Sequence, residues 1–185
     1  MMPQKKVDNS SYTTSIDIKA GRLKQLCWYA VNILFFKNSW ITSSRLKVFL
    51  LRSFGATAGT GIVIKPCVNI KYPWKLTIGD HCWIGEAVWI DNLAEVTIGN
   101  HVCISQGAFL LTGNHNYKKT SFDLMLGGIT LEDGVWIGAK AVVCPGVVCA
   151  SHSILSVASV AVSSLEPYSI YKGNPCIKIN ERIIE

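Results

Sequence analysis

The sequence predicts a mainly β fold, a parallel β-helix that coils around a narrow three-sided interior, with a helical segment before it and one protruding loop. Three observations predict this fold. An aliphatic residue recurs every six positions, small or aliphatic residues follow four positions later, and turn-forming residues occupy a fixed place in each coil. A period of six fits neither an α-helix, with about 3.6 residues per turn, nor an isolated strand, with a period of two.

The six-residue period accounts for fifteen positions, of which twelve are Ile, Leu or Val and three are Ala or Cys. One such residue on each side of a triangular coil would stack on its counterpart in the next coil, about 4.8 Å along the axis. Repetition of this kind is typical of solenoids, in which each coil is stabilised by its neighbours. The positions are Ala58, Ile64, Ile70, Ile78, Ile84, Ile90, Ile98, Ile104, Leu110, Leu131, Ile137, Val143, Cys149, Leu155 and Ala161.

One corner of each coil carries Gly or His three residues after the first aliphatic position of that coil, at Gly61, His81, His101, Gly134 and His152. A sharp corner commonly needs a positive φ, which Gly accepts freely and His accepts more readily than most residues. We therefore interpret three of the four histidines as turn residues. The fourth histidine, His115, lies outside this pattern.

The chain divides into four parts. We expect a polar segment at 1–20 that is poorly ordered or lies over a neighbour, a helical segment at 21–57, the β-helix at 58–166 with a loop inserted at 112–128, and a tail at 167–185. In the helical segment, one apolar face comprises Leu23, Leu26, Cys27, Ala30, Ile33 and Leu34, and another comprises Leu46, Phe49, Leu50 and Phe54. These helices are interpreted as a cap over the open end of the solenoid. Their basic flanks leave a membrane-surface helix as the alternative.

Composition excludes several classes of protein. The 185 residues fit one domain, and no apolar run approaches the roughly 20 residues of a membrane span. Seven cysteines without a regular spacing argue against a zinc site and a disulfide framework, and favour small buried side chains in a reducing cytoplasm. The net charge of +6 could attract an anionic lipid or a phosphorylated ligand. No nucleic-acid motif accompanies that charge, so we expect no nucleic-acid partner.

The inserted loop interrupts the period around His115. Leu110 and Leu131 are 21 residues apart, where the repeat expects six or eight. Long irregular loops in compact domains are usually functional or disordered, and a tolerated surface insertion is the alternative. Because the loop contains His115, Tyr117, Lys118 and Lys119, its composition favours a functional role.

The repeats IGDHCW-IGEAVW and IGNHVC-ISQGAF, followed by VWIGAKAVVCPGVV, resemble the bacterial hexapeptide-repeat acyltransferases, which form left-handed parallel β-helices. Within them, the chain is most similar to the colanic acid biosynthesis acetyltransferases. The similarity rests on LLRSFGATAG at 50–59, IKYPWKLTIGD at 70–80, ISQGAFLLTGNH at 104–115 and GNPCIKINER at 173–182. It covers most of the chain beyond residue 22.

The resemblance implies an acetyl-CoA-dependent O-acetyltransferase that modifies a sugar, which could be lipid-linked, in surface polysaccharide synthesis. His115 matches the family's general base, a role that suits an imidazole because it titrates near neutrality. Coenzyme A would lie in the groove between two protomers of a homotrimer, with Trp136, Ala139 and Val157 beside its pantetheine arm. We expect a cytoplasmic protein that could associate with the inner face of the membrane.

Further candidates carry alternatives. Lys172, Lys178 and Arg182 could bind the phosphates of coenzyme A or form a solvated tail. Asp91 and Asn92 precede the loop's exit by one coil, and either could bind the acceptor sugar, orient His115 or be a plain turn residue. Tyr117 could also bind the acceptor. Trp136 could serve packing alone, because Trp83 and Trp89 occupy equivalent positions.

Three other functions remain open at this stage. The acceptor could be an amino sugar or another small hydroxyl or amine compound. A metal-dependent carbonic anhydrase would need three converging histidines, which one chain gathers poorly, so we expect no metal. A non-catalytic scaffold would use the β-helix only for assembly.

Overall fold

A computed structural model describes residues 5–14 and 16–185, and the rest of the predicted polar N-terminal segment lies outside the described residues. The N-terminal part contains two helices, named here α1 and α2. Helix α1 is Arg22–Val31, which continues as a π-helical turn at Asn32–Phe36, and helix α2 is Ser44–Ser53. Short 3₁₀ turns lie at Asn9–Ser11 and Pro73–Lys75.

All strands except those of one hairpin form the three faces of a triangular coil. We name them faces A, B and C, in the order in which the chain enters them. Face A consists of Thr57–Ala58, Leu76–Ile78, Val96–Ile98, Ile129–Leu131 and Val148–Cys149. Face B consists of Val63–Ile64, Trp83–Ile84, Cys103–Ile104, Trp136–Ile137, Ile154–Leu155, Ser169–Gly173 and Cys176–Glu181. Face C consists of Asn69–Ile70, Trp89–Asp91, Phe109–Leu111, Val142–Val143 and Val160–Ala161. Gly113–His115 and Leu124–Leu126 form a separate antiparallel hairpin.

The register of the parallel strands confirms the predicted period. On face B, Ile64 pairs with Ile84, Ile84 with Ile104, and Ile137 with both Ile104 and Leu155. These side chains are at most 1% exposed, so they form a continuous aliphatic column along the axis. Equivalent columns on faces A and C complete the core. The left hand of the coil stays a prediction from the family resemblance.

The outward sides of the three faces differ in polarity. Face A presents a ladder of threonines at Thr57, Thr77, Thr97 and Thr130. Face C presents Trp89 stacked on Phe109, with ring centroids 4.7 Å apart. Face B presents Trp83 and Trp136. Faces B and C therefore carry the apolar surface that a neighbouring protomer could cover.

The corner between faces A and B has the predicted backbone conformation. His81, His101 and His152 have φ between 55° and 60°, and Gly61 and Gly134 have φ of 65° and 68°. The imidazoles of His81 and His101 stack with centroids 5.3 Å apart. These three histidines are turn residues, as predicted. The corner between faces B and C also needs positive φ, and there the residues are Cys67, Ala87, Gly107, Lys140 and Ala158, a mixture that the sequence did not predict.

The corner between faces A and B is also held by side chains that accept backbone hydrogen bonds from the preceding coil. The N–H of Thr60 donates to Asp80 Oδ1, that of Asp80 to Asn100 Oδ1, and that of Asn100 to Asp133 Oδ1, over 2.6, 2.8 and 2.7 Å. Hydrogen bonds to a carboxylate favour its charged form. They lower the pKa of Asp80, chiefly through Thr60, and the pKa of Asp133, chiefly through Asn100.

The two helices pack against the first coil. The indole N–H of Trp28 donates to the carbonyl of Ile70 (2.9 Å), and the Lys47 ammonium donates to the carbonyl of Lys65 (2.8 Å). Burial lowers the pKa of Lys47. The inner face of α1 is formed by Trp28, Asn32 and Phe36. The predicted apolar stripe from Leu23 to Leu34 is exposed instead, so covering the solenoid does not account for it.

The described part of the N-terminal segment lies against the β-helix and the inserted loop. The N–H of Asp8 donates to the carbonyl of Thr120 (2.8 Å), and the Lys75 ammonium donates to the carbonyl of Asp17 (2.7 Å). The predicted C-terminal tail supplies the last two strands of face B, which pair antiparallel to each other. All seven cysteines are free, and the expectation that most are buried is wrong, because only Cys82, Cys149 and Cys176 are.

Candidate active site

The inserted loop leaves face C through a polar anchor and returns close to its starting point. The Thr112 hydroxyl donates to the carbonyl of Asp91 (2.7 Å) and accepts from the N–H of Ala94 (3.1 Å). The N–H of Gly127 donates to the carbonyl of Thr112 (3.0 Å), which closes the base of the loop. Between these points the hairpin pairs His115 with Leu124. The loop is therefore an ordered arm that holds His115 beside face C.

His115 is held by Phe122, which lies in the connecting segment just before the returning strand. The imidazole Nδ1 lies 2.8 Å from the carbonyl oxygen of Phe122, and the two rings stack with centroids 4.4 Å apart and planes 7° apart. A carbonyl oxygen can only accept, so Nδ1 carries the proton of the neutral ring. Nε2 then has a free lone pair, and among the described residues it has no hydrogen-bond partner. This is the tautomer that a general base requires.

Phe122 adopts a backbone conformation that is rare for a bulky residue, with φ of 50°. Such outliers cluster at functional sites, where the surrounding structure holds them in place. Here the left-handed turn accompanies a carbonyl directed at the imidazole. The opposite side of the site is approached by Tyr12, whose ring centroid lies 6.0 Å from that of His115. The sequence drew attention to Phe122 only as one member of the loop whose composition favours function, and it did not draw attention to Tyr12.

Asp91 lies at the end of a face C strand and borders a groove between that face and α1. The groove is lined by Leu26 and Tyr29 of α1 and by Tyr72, Trp89 and other residues of the coils. Asp91 is 8% exposed, and its Oδ1 lies 2.9 Å from the ammonium of Lys71. That oxygen nevertheless makes no hydrogen bond of acceptable direction with a described residue, although it is buried. Asp91 thus borders the groove with its carboxylate held beside the Lys71 ammonium.

Asn92 and Tyr117 are placed differently from Asp91. The side-chain amide of Asn92 is fully buried, accepts from the N–H of Tyr72 (3.0 Å) and donates to the Tyr72 carbonyl. This geometry favours a turn-stabilising role over acceptor binding, because a ligand would have to displace these bonds. Tyr117 is exposed at the tip of the loop.

The residues expected beside coenzyme A lie on face B and at the corner that follows it. Trp136 is half-exposed and its indole N–H donates to the hydroxyl of Ser105 (2.9 Å). Ala139 and Val157 lie on successive coils, where the N–H of Ala158 donates to the carbonyl of Ala139 (2.9 Å). The coils pack tightly here, because a Cβ at Gly138 would lie 2.5 Å from the backbone nitrogen of Val157. Ala139 and Val157 are thus neighbours, whereas the indole N–H of Trp136 is directed at the preceding coil.

The three cationic candidates are not equally free to bind phosphate. Lys178 pairs with Glu166 and Glu181, at 2.7 and 2.6 Å, and these hydrogen bonds raise its pKa. The guanidinium of Arg182 donates to the carbonyls of Gly134 (2.8 Å) and His152 (3.1 Å). Lys172 is exposed on face B, on the strand that follows Ile154–Leu155. The geometry favours Lys172 as the phosphate contact and structural roles for the other two.

The candidate base, His115, and the expected cofactor residues lie on different parts of one chain. The loop bearing His115 leaves the corner between faces C and A, whereas Ala139 and Val157 lie next to the corner between faces B and C. The whole of face C separates them. A side of about six residues spans up to about 20 Å, which is too far for one imidazole to reach a thioester at the other edge.

The described residues contain neither a metal-binding cluster nor a membrane-spanning helix. No group of three His, Cys, Asp or Glu side chains there is arranged to hold a metal ion. His81 and His101 stack at their corner, away from the loop of His115. No helix within the described ranges is long and apolar enough to cross a membrane.

Comparison with known proteins decides the family. The chain is 36% identical over 177 residues to the colanic acid biosynthesis acetyltransferase WcaF of Escherichia coli (strain K12), an alignment that covers 95% of this chain and 97% of that protein. The chain belongs to the hexapeptide-repeat acetyltransferases of the WcaF type. It is also 27% identical over 149 residues to the galactoside O-acetyltransferase of Escherichia coli (strain K12), covering 79% and 73% of the two chains.

Solved structures agree on the fold. A hexapeptide-repeat-containing acetyltransferase from Vibrio cholerae O1 biovar eltor, complexed with acetyl coenzyme A, superposes with a TM-score of 0.77 at 23% identity. The superposition covers 92% of this chain and 91% of that one. No protein-family model matches the chain. The predicted fold class, family and acetyltransferase activity are confirmed.

Proposed function

We propose that this acetyltransferase transfers an acetyl group from acetyl-CoA to a sugar hydroxyl in the synthesis of a surface or extracellular polysaccharide. His115 Nε2 removes the hydroxyl proton as the sugar oxygen attacks the thioester carbonyl. The carbon–sulfur bond then breaks, the acetyl ester remains on the sugar, and the thiolate of coenzyme A takes the proton from the imidazolium. Transfer of this kind is general acid–base catalysis at one imidazole.

The observation that carries the proposal is the contact of Nδ1 with the Phe122 carbonyl. It holds the neutral ring with its proton on Nδ1 and stabilises the ring when Nε2 becomes protonated. The other three histidines serve at a corner and have no such oriented partner on a loop. The identity with WcaF over nearly the whole chain supports the polysaccharide pathway.

We infer that the enzyme works as a homotrimer in which each active site lies between two protomers. The base of one protomer would face the cofactor residues of the next, because face C separates the two sets within a chain. Coenzyme A would then lie along face B, past Trp136, Ala139 and Val157 toward Lys172. Closed cyclic assemblies of this kind repeat one heterologous contact three times.

The acceptor would enter from the groove at Asp91. A sugar ring can stack on an aromatic side chain such as Trp89, and the Asp91 carboxylate would accept a hydrogen bond from a sugar hydroxyl. Asp91 stands next to the loop's anchor, because its carbonyl accepts from Thr112. An amino sugar is the alternative acceptor, since the same carboxylate could bind an ammonium group.

Removing the imidazole tests the proposal. With acetyl-CoA and a panel of sugar acceptors, release of the coenzyme A thiol should fall about 100- to 10,000-fold in His115→Asn. The matched control is His101→Asn at the corner, where Asn tolerates the positive φ and turnover should stay near that of the unaltered enzyme. Undiminished turnover in His115→Asn would remove His115 from the mechanism.

The acceptor panel separates the two acceptor classes. Neutral sugars, amino sugars and their N-acetylated forms would be compared by thiol release and by mass spectrometry of the product. Acetyl esters are cleaved by mild base, whereas amides survive it. Transfer restricted to free amino groups would replace O-acetylation by N-acetylation.

A further inference from the structure

The outer face of α1 is apolar although it faces away from the β-helix. Leu23 is 77% exposed, Leu26 67% and Leu34 58%, and Trp40, which follows the helical turn, is 88% exposed. Residues three, four or seven apart share one side of a helix. These side chains therefore form a stripe, the outer stripe, that comprises Leu23, Leu26, Ala30, Ile33 and Leu34, with Trp40 beyond its end.

The outer stripe is not needed to attach the helix. The inner face of α1 already packs through Trp28, Asn32 and Phe36, and the Asn32 side chain donates to Asn69 Oδ1 (2.7 Å). Exposed contiguous apolar surface on a folded protein usually marks an interaction site. A helix with a second apolar face therefore indicates a second contact.

The charge around the outer stripe indicates the kind of partner. Between Asp17 and Asp80 the chain has no acidic residue, and it has ten of its 18 Lys and Arg residues there. Of these, Arg22 and Lys37 line the groove beside Leu26, and Arg45 lies on α2. All three are exposed and form no ion pair among the described residues. A cationic surface with Leu and Trp at its centre is complementary to an anionic membrane surface.

We propose that α1 and the turn after it lie on an anionic phospholipid surface, with the outer stripe in the acyl boundary and the basic residues among the headgroups. Trp40 would sit at the interface, where amphipathic rings are favoured. A second copy of this chain is a poor occupant of the stripe. Two such surfaces in contact would place like charges against each other, with no carboxylate of the same segment to neutralise them.

The outer stripe is continuous with the groove proposed to bind the acceptor. Leu26 belongs to both, and Tyr29, exposed on the same helix, lines the groove that leads to Asp91. A helix resting on the membrane would open this groove toward the headgroups. This consequence rests on the proposed function, and it favours an acceptor sugar carried on a lipid.

Vesicle flotation tests the proposal directly. The unaltered protein should float with vesicles of phosphatidylglycerol and phosphatidylcholine, and should not float with phosphatidylcholine alone. Flotation should weaken as salt is raised, because the Debye length shortens. In the variant Leu23→Gln, Leu26→Gln, Leu34→Gln, the partition coefficient should fall by on the order of tenfold or more.

A matched control has the same chemistry at the other end of the chain. Ile177, Ile179 and Ile183 are also exposed, and changing all three to Gln should leave flotation unchanged. Changing Arg22, Lys37 and Arg45 to Gln should lower partition into anionic vesicles and reduce its salt dependence. Quenching of Trp40 by brominated lipid, taken as the difference between the unaltered protein and Trp40→Phe, should show that the indole enters the bilayer.

Two outcomes would overturn the proposal. The first is flotation with anionic vesicles no greater than with neutral ones, or flotation that the triple Leu→Gln variant retains. The second is a change of oligomeric state in that variant by light scattering, which would make the outer stripe a protein–protein contact. Neither result depends on catalysis. Turnover of the unaltered protein on a soluble acceptor is measured separately, and only its absence would count against the proposed function.

Discussion

The β-helix and the inserted hairpin differ in repetition and in burial. In the coils, every inward residue repeats its neighbour's place and is almost fully buried, and one strand's partners follow from a period of six. The hairpin is joined to the coils only at its base, through Thr112 and Gly127, and half of the residues from 113 to 126 are exposed. The coils hold the fold, and the hairpin presents a single oriented imidazole.

This difference indicates that the coils provide the stability of the protein and that the hairpin provides the residues proposed for its chemistry. Repetition forces coils to be equivalent, so a residue that occurs once can serve a function without disturbing the repeat. His115 and Phe122 occur in the only segment that leaves the wall of the β-helix among the described coils. Mutations in the two regions should therefore have opposite consequences for stability and turnover.

Replacing residues 113–126 by a two-residue turn should have the largest effect on activity. The loop ends are already hydrogen-bonded through Thr112 and Gly127, so the coils can close without the hairpin. We expect acetyl transfer to fall at least about 1,000-fold, because the proposed base, His115, and its support are removed together. Thermal unfolding should shift by only a few degrees. Loss of the folded state would contradict the separation of the two regions.

Shortening a stacked side chain in the core of the coils should lower stability much more than shortening a side chain of the hairpin. Ile104 is 1% exposed at the middle of the face B column, so Ile104→Ala should lower the free energy of unfolding by about 3 kcal/mol. Met125→Ala in the exposed hairpin should cost less than about 0.5 kcal/mol. Denaturant melts would measure both. Equal losses would show that the hairpin contributes to the core.

Removing the ring that stacks on the imidazole should have a moderate effect on activity. Phe122→Ala keeps the carbonyl that accepts from Nδ1 but loses the ring 4.4 Å away. We expect kcat to fall about tenfold, since misplacement of a base costs catalysis, while KM changes little. The pH–rate profile should broaden or shift with the looser imidazole. A drop in stability with unchanged kcat would assign Phe122 to folding alone.

The smallest expected effect is on the melting temperature in acid, when Asp133 at the corner between faces A and B is changed to Asn. Asp133 accepts from the N–H of Asn100, and this lowers its folded-state pKa below the ordinary value of 3.8. A carboxylate with a lowered folded pKa stabilises the protein above the unfolded pKa, and that contribution is lost as the pH falls through the folded pKa. Asp133→Asn should therefore flatten the fall in melting temperature below about pH 4. An unchanged slope would contradict this account.

The sequence predicted the coils well because one physical rule determines them. A side chain that recurs every six residues has one inward place per side, so Ile64, Ile84 and Ile104 could be aligned without a structure. The N-terminal helices obey a weaker rule. Since α1 is apolar on two sides, the pattern showed a stripe from Leu23 to Leu34 but could not show that Trp28 and Phe36 face the coils.

The candidate site was predicted only in part, because the sequence pattern does not show which contacts each residue makes. His115 was singled out because it breaks the repeat. Asn92 and Arg182 were chosen for residue type, and the structure uses both to bind backbone carbonyl groups of other coils. The Phe122 carbonyl has no signature in the sequence, because any residue there has one and only its positive φ directs it. Contacts made by the backbone cannot be inferred from side-chain patterns.

The central claim is that the imidazole of one protomer acts on acetyl-CoA bound by the next. Co-expression of two inactive variants tests it, one carrying His115→Asn and the other Val157→Arg, which obstructs the cofactor edge of face B. In randomly mixed trimers, about one site in four joins an intact base to an intact cofactor edge. We predict turnover near one quarter of the unaltered enzyme, and mixed trimers as inactive as either parent would contradict the shared site.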